Sequence, residues 1–254
     1  MHRFYLPPEE CQAGSLTLNG REAHHASRVL RLRRGDEVVV LDGAGSEYGC
    51  QVQDCGRELV QLAVTKKSLL PPLPYQLTLL QAVPKGKLIE SVIQKAVELG
   101  VHRVVPLLAE RVTTRLEGDD AAHKAEKLQH VAIEAIKQCG LAWLPKIETP
   151  LTPGEFLARG EKFDLPLIAS LQPGSRHARE YFQAFQSERG RRPESVCVWV
   201  GPEGDFTVDE VRAVEASGAK PISLGRLVLR VETAATYCLS VLNHELSSPV
   251  NSRA

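Results

Sequence analysis

Val196-Cys-Val-Trp-Val-Gly-Pro-Glu-Gly-Asp-Phe206 and, further on, Ser223-Leu-Gly-Arg-Leu-Val-Leu-Arg-Val-Glu-Thr-Ala-Ala235 decide the fold of this chain. The apolar run Val196 to Val200 reads as a strand that enters a Gly-Pro-Glu-Gly turn. Thr207-Val-Asp-Glu210 has the spacing of a capping box and opens a short helix that Gly218 closes. Pro221 to Leu224 is a second strand, and a loop then carries Arg230, Glu232 and Thr233 to a final helix, Glu232 to Glu245. Glycine-bearing loops at the carboxyl ends of two such strands make a place where backbone can close on a ligand.

The same alternation extends upstream. Gln76 to Ala82 is nearly all apolar, as a strand covered on both faces must be. Ile89, Val92, Ile93, Ala96 and Val97 recur at helical spacing before Gly100, and Arg103 to Leu108 is the next strand. Asp119 or Asp120 can cap a helix with the apolar face Leu128, Val131, Ala135 and Ile136, ending at Gly140. Thr152-Pro-Gly-Glu155 is another capping box with proline at the first helical position. Leu165 to Leu171 is a strand and Arg179 to Glu188 a helix. Five strands interleaved with helices predict an α/β domain with a parallel sheet covered on both faces.

Residues 1–70 follow a different rule. Glu37 to Leu41, Tyr48 to Gln53 and Leu59 to Thr65 are short strands separated by glycine turns, a pattern of a small barrel or sandwich. Ser68-Leu-Leu-Pro-Pro-Leu-Pro-Tyr75 is a semi-rigid spacer, because its prolines cannot donate to a ladder. The boundary falls there, giving domains at 1–70 and 71–254. Arg21 to Arg34 is the most basic window of the chain.

Lys plus Arg and Asp plus Glu both total 31, so net charge gives no case for nucleic acid, and any such case rests on that local clustering. The six cysteines form no Cys-x-x-Cys pair, which reads as reduced thiols and not as a disulfide framework or zinc site. With no apolar signal core and no apolar run near ~18 residues, a soluble cytoplasmic protein without a membrane span is expected. His123, Glu126 and His130 can share a helix face but match no metal motif, so no metal is expected. Lys85-Gly86-Lys87 lacks the preceding glycine of a P-loop.

Four segments carry a resemblance: Gln94-Lys-Ala-Val-Glu-Leu-Gly-Val101, Pro106 to Arg111, Gly201 to Gly204, and Leu224 to Ala234. In this order and spacing they resemble the SPOUT methyltransferases, and among them the enzymes that methylate N3 of a uridine in small-subunit ribosomal RNA. The resemblance extends over nearly the whole chain. It implies a PUA-like β-barrel ahead of a SPOUT domain with a C-terminal trefoil knot. It also implies S-adenosyl-L-methionine as cofactor, ribosomal RNA or the small ribosomal subunit as partner, and a homodimer.

Methyl transfer to uracil N3 needs an aligned methyl donor, a cation near the ring oxygens and a route for the N3 proton. Gly201, Glu203 and Gly204 form the first expected cofactor loop, Ser223, Leu224 and Gly225 the second, with apolar cover from Leu227 to Leu229. Ser170 and Leu171 are a third wall. Arg230 is the expected cation, since arginine stays protonated. Glu232 and Thr233 are candidate catalytic residues that can equally serve the helix start, or, for Glu232, hold Arg230. Arg3, Arg28, Arg31, Arg33, Arg34 and Arg111 are the expected RNA contacts. Glu98 can orient Arg111, and Glu110 and Arg115 lie in the same loop.

The chain departs from the family pattern at Asp205, where a second consecutive glycine is usual, and at Leu227, Val231 and Leu141. A non-catalytic RNA-binding or ribosome-assembly factor on the same fold is the alternative. A dinucleotide-dependent oxidoreductase lacks its Gly-x-Gly-x-x-Gly turn.

Overall fold

The computed structural model describes residues 1–11, 14–112, 119–170 and 174–247. Leu171 and Arg115 lie outside the described residues, as does the position that would cap the helix at Asp119. The chain forms two compact units, one of Met1–Pro72 with Ile133–Leu144, the other of Leu73–Ala132 with Pro145–Ala254.

In the first unit, β1 (His2–Tyr5), β2 (Ser15–Leu18), β3 (Glu37–Leu41), β4 (Ser46–Cys55) and β5 (Val60–Leu69) form a mixed sheet in the order β1-β3-β4-β5-β2. Among the described residues of this sheet only β1 and β3 pair in parallel. The expected barrel is a half-barrel, with β1 and β2 as separate edges. Register shifts at Gly49/Cys50 and Val52/Asp54 break the long β4–β5 ladder, and such bulges bend a strand. Alternation along β4 sends Tyr48, Cys50 and Val52 inward onto Phe4, Leu16, Leu18, Val38 and Leu62. Much of the basic window is helical: α1 (Gly20–His24) continues into a π-helical turn, His25–Val29, and buries Ala23 and Ala26. Arg3 Nη1 donates to the carbonyls of Lys137 and Gln138 at 3.3 and 3.1 Å, so this expected RNA contact is engaged with a helix end of its own unit.

In the second unit β6 (Gln76–Ala82), β7 (Arg103–Leu107), β8 (Lys146–Ile147), β9 (Leu165–Ala169), β10 (Ser195–Val200) and β11 (Lys220–Ile222) form an all-parallel sheet, ordered β11-β9-β10-β6-β7-β8. The strands alternate with α2 (Leu88–Glu98), α3 (Asp119–Cys139, of which residues from Ile133 onward belong to the first unit), α4 (Pro153–Ala158), α5 (Ala178–Arg189), α6 (Val208–Ala216) and α7 (Val231–Ser247). The two-residue β8 is the strand that periodicity did not show. Both threonine capping boxes form, Thr152 with Glu155 and Thr207 with Glu210. Trp199 on β10 meets Phe156 and Phe206 edge to face, with ring centroids 5.4 and 6.3 Å apart. Phe206 is thereby buried immediately beyond the β10 turn, so that turn is pinned at both ends.

Candidate active site

β9, β10 and β11 lie side by side, and parallel strands end on one edge, so the segments after them are neighbours. The turn at residues 201–206 is tightly held. Asp205 N donates to Pro202 O at 2.9 Å, and Asp205 Oδ1 accepts from Phe206 N at 2.8 Å. Asp205 has φ 60°, a left-handed conformation that aspartate tolerates because its short side chain bonds locally. That accounts for the usual glycine at this position. Glycine is also required at 201, where a Cβ would lie 2.7 Å from Asp205 Oδ1 and 3.2 Å from Asp205 Cα.

Two neighbouring segments tie the same turn down. Lys85 N donates to Glu203 Oε1 at 2.9 Å, and the Arg111 guanidinium donates to the Gly204 carbonyl. Glu98, expected to orient Arg111, instead pairs with Lys95 at 2.8 Å. Glu110 contributes its backbone N–H, which donates to Glu210 Oε1 at 2.9 Å. Deep below, Gln81 is fully buried and donates to Ala82 O at 2.9 Å, with a longer contact to Val200 O at 3.5 Å.

The segment at residues 223–230 is held at its ends and open in its middle. Ser223 N donates to Arg176 O at 2.9 Å and Gly225 N to Ser223 Oγ at 3.2 Å. Gly225 has φ 101°, and nothing lies within 4 Å of where its Cβ would be. Leu227 and Val228 are 75% and 81% exposed. The Arg230 carbonyl accepts from Ala234 N at 2.8 Å, which starts α7 and fixes the arginine at its amino end. The third wall is Ser170, whose N–H donates to Ile222 O at 3.0 Å.

These segments enclose a cavity of about 510 Å³. Ser170, Gly201, Glu203, Leu224, Leu227, Leu229, Arg230 and Glu232 line it, eight of the residues expected from sequence. Leu88, Pro202, Asp205, Val228 and Val231 line it too. Leu88 was missed because it starts α2, far away in sequence; its one signal is that it is an apolar residue left exposed at a helix start. Gly204, Ser223 and Gly225 belong to the loops but not to the lining, and Gly204 faces Arg111 instead. Thr233 opens on a broader concavity of about 770 Å³ along α7, with Ser91, Arg179 and Tyr237, and Glu232 lines both spaces. No ion pair joins Glu232 to Arg230 among the described residues, and none of these holds a His/Cys/Asp/Glu cluster suited to a metal.

The larger concavity is a helix face. The smaller is built from loop backbone at strand carboxyl ends, where open α/β sheets bind their ligands, and its volume suits a small organic molecule. Glycine at 201, an apolar cover from Leu224, Leu227 and Leu229, and polar groups at one rim fit an adenosyl-type cofactor with a charged tail. Fold and site together define an α/β domain with a small-molecule site, in a chain that also carries a PUA-like half-barrel.

This chain belongs to the RNA methyltransferase family: the family model described as an RNA methyltransferase domain matches residues 71–243, and that of an RNA methyltransferase PUA domain matches residues 18–65. A relative from Synechocystis sp. named ribosomal RNA small subunit methyltransferase E is 34% identical, over 97% of this chain and 78% of its own length. One of the same name from Bacillus subtilis is 28% identical, covering 96% and 97%. A methyltransferase structure from Legionella pneumophila, in complex with the bound cofactor SAM, superposes with TM-score 0.84 at 32% identity, covering 94% of this chain and 96% of that one. Among the described residues no helix is long and apolar enough to cross a membrane.

Proposed function

We propose that this protein transfers the methyl group of S-adenosylmethionine to N3 of a single uridine in small-subunit ribosomal RNA, in the cytoplasm. The observation that carries the reading is the cavity at the ends of β9, β10 and β11, with Arg230 at its edge. The names of the relatives and the SAM-bound Legionella structure support it.

S-adenosylmethionine supplies an electrophilic methyl group when bound. The residues to hold it are Ser170, Gly201, Leu224, Leu227 and Leu229, through backbone groups and apolar cover. The Arg230 guanidinium stabilises the negative charge that reaches the uracil oxygens as N3 gives its proton to solvent water. Glu232 is the carboxylate beside it. Glu203, fixed by the Lys85 amide, shapes the opposite rim. Arg111 braces the Gly204 carbonyl and keeps an exposed cationic face for RNA. Arg28, Arg31, Arg33 and Arg34 serve the RNA from the first unit.

The working form is a homodimer with a C-terminal trefoil knot. Support for the homodimer comes from the concavity along α7, where Tyr237 is 43% exposed and where Thr233 opens. A second copy would cover that face.

Incubation with methyl-labelled S-adenosylmethionine and small ribosomal subunits, in parallel with naked ribosomal RNA, tests the reading. One methyl group per RNA, mapped to N3 of one uridine, is the expected result. Cofactor binding without incorporation into either substrate would contradict it.

A further inference from the structure

Three arginines line one concavity of about 310 Å³ within the first unit. Arg28 comes from the π-helical turn, Arg31 from just beyond it, and Arg57 from the turn between β4 and β5. Only Arg28 and Arg31 belong to the basic window of the sequence; Arg57 reaches the same space from a hairpin. No carboxylate lines the concavity, and none of the three side chains has a hydrogen bond or ion pair among the described residues. Asp36 and Asp54 lie near Cys55 but outside the lining, so an anion entering the concavity meets three cations and no carboxylate in its wall.

A second observation comes from Ser27, which lines the same space. Its hydroxyl oxygen is buried and has no hydrogen-bond partner, an expensive state for a polar group. Arg31 is also strained: it has φ 54°, and Leu32 N bonds back to Ala26 O at 3.0 Å to close the turn that carries it.

We infer that this concavity is a phosphate site, in which Arg28, Arg31 and Arg57 surround one backbone phosphate of the RNA substrate and Ser27 turns its buried hydroxyl outward to donate to a phosphate oxygen. The inference rests on the reading of the chain as an RNA methyltransferase. It adds Ser27 and Arg57 to the RNA contacts; Arg33 and Arg34 do not line this concavity and would meet the RNA outside it.

The test uses the full chain and a labelled small-subunit ribosomal RNA transcript, with affinity measured across a salt series. Arg57→Ala should weaken binding about tenfold at low salt and lower the slope of log affinity against log salt by about 0.7 for the lost contact. Arg31→Gly should do the same without lowering Tm, since glycine accepts the left-handed backbone. Ser27→Ala should weaken binding about threefold while Tm holds or rises, because it removes an unpartnered polar group. Arg212→Ala, on the exposed face of α6 in the second unit, should leave the slope unchanged.

RNA affinity equal to wild type in Arg57→Ala and Ser27→Ala, with methylation intact, would overturn the site and leave the activity standing. Inorganic phosphate that raises the Tm of wild type but not of Arg57→Ala, with RNA affinity unaffected, would assign the site to free phosphate and overturn its RNA role. Affinity that depends on Arg57 and Ser27 in a protein that never methylates would support the site and remove the activity.

Discussion

The two principal walls of the cavity are made in opposite ways. The turn at residues 201–206 is buried at Pro202 and Phe206, bonded within itself, and tied to Lys85 and Arg111. The segment at residues 223–230 is held at its ends and leaves Leu227 and Val228 in solvent. A fixed wall places a ligand without loss of loop entropy at the moment of binding. A loose one lets the ligand in, and its exposed leucine and valine give it apolar area to bury once a ligand arrives. The cavity therefore sets a tightly bonded surface against one whose apolar side chains are exposed.

Substitutions separate these roles. Arg230→Ala, at the root of the loose wall, should lower kcat by about 10²–10³ with little change in cofactor affinity, as loss of a charge-stabilising donor does. Steady-state kinetics alongside calorimetry check it, and unchanged turnover would remove Arg230 from the chemistry. Gly201→Val on the fixed wall should instead act on binding. Its Cβ meets Asp205 at 2.7 Å, so the turn must shift, and affinity for S-adenosylhomocysteine should fall roughly 10- to 100-fold.

Asp205 tests whether the fixed wall depends on local backbone chemistry. Asp205→Gly should change stability by less than about 1 kcal/mol, whereas Asp205→Val, branched at a positive φ, should cost about 1–2 kcal/mol in thermal unfolding. Equal stability of the two variants would mean that the turn is not held in this conformation.

The smallest effect serves as a control away from both walls. Asp164 receives the Arg191 guanidinium in two bonds of 2.8 and 2.9 Å and the Glu194 amide at 2.8 Å. The arginine above all, with the amides, holds its carboxyl down to about 2. A folded pKa below the unfolded one gives stability that is present above about pH 4 and lost as pH falls toward 2. Asp164→Asn should lower Tm by a few degrees at pH 7, with the gap to wild type closing over that range. Cofactor affinity should not move.

The sheet of the second unit was legible because its strands are buried on both faces and its helices carry capping boxes and glycine stops. β8 was missed since two residues show no period, and β1 and β2 since four residues each lie beside stronger signals. The helix in residues 20–29 was hidden by its own charge: the arginines drew attention from Ala23 and Ala26, which pack it. Of the site, the loops were readable from Gly201, Gly225 and Arg230, whose residue types are unusual enough to demand a reason. Contacts between distant segments were not. Nothing near Arg111 in sequence announces the Gly204 carbonyl, and the nearby Glu98 pointed to a wrong partner.

Amide hydrogen exchange of the full chain, with and without S-adenosylhomocysteine, tests the central claim most directly. Residues 223–230 should gain strong protection as the loose wall closes, while residues 201–206 change little because they are already held. No change in either segment at saturating ligand, or protection confined to some other part of the chain, would contradict the assignment of this cavity to the cofactor.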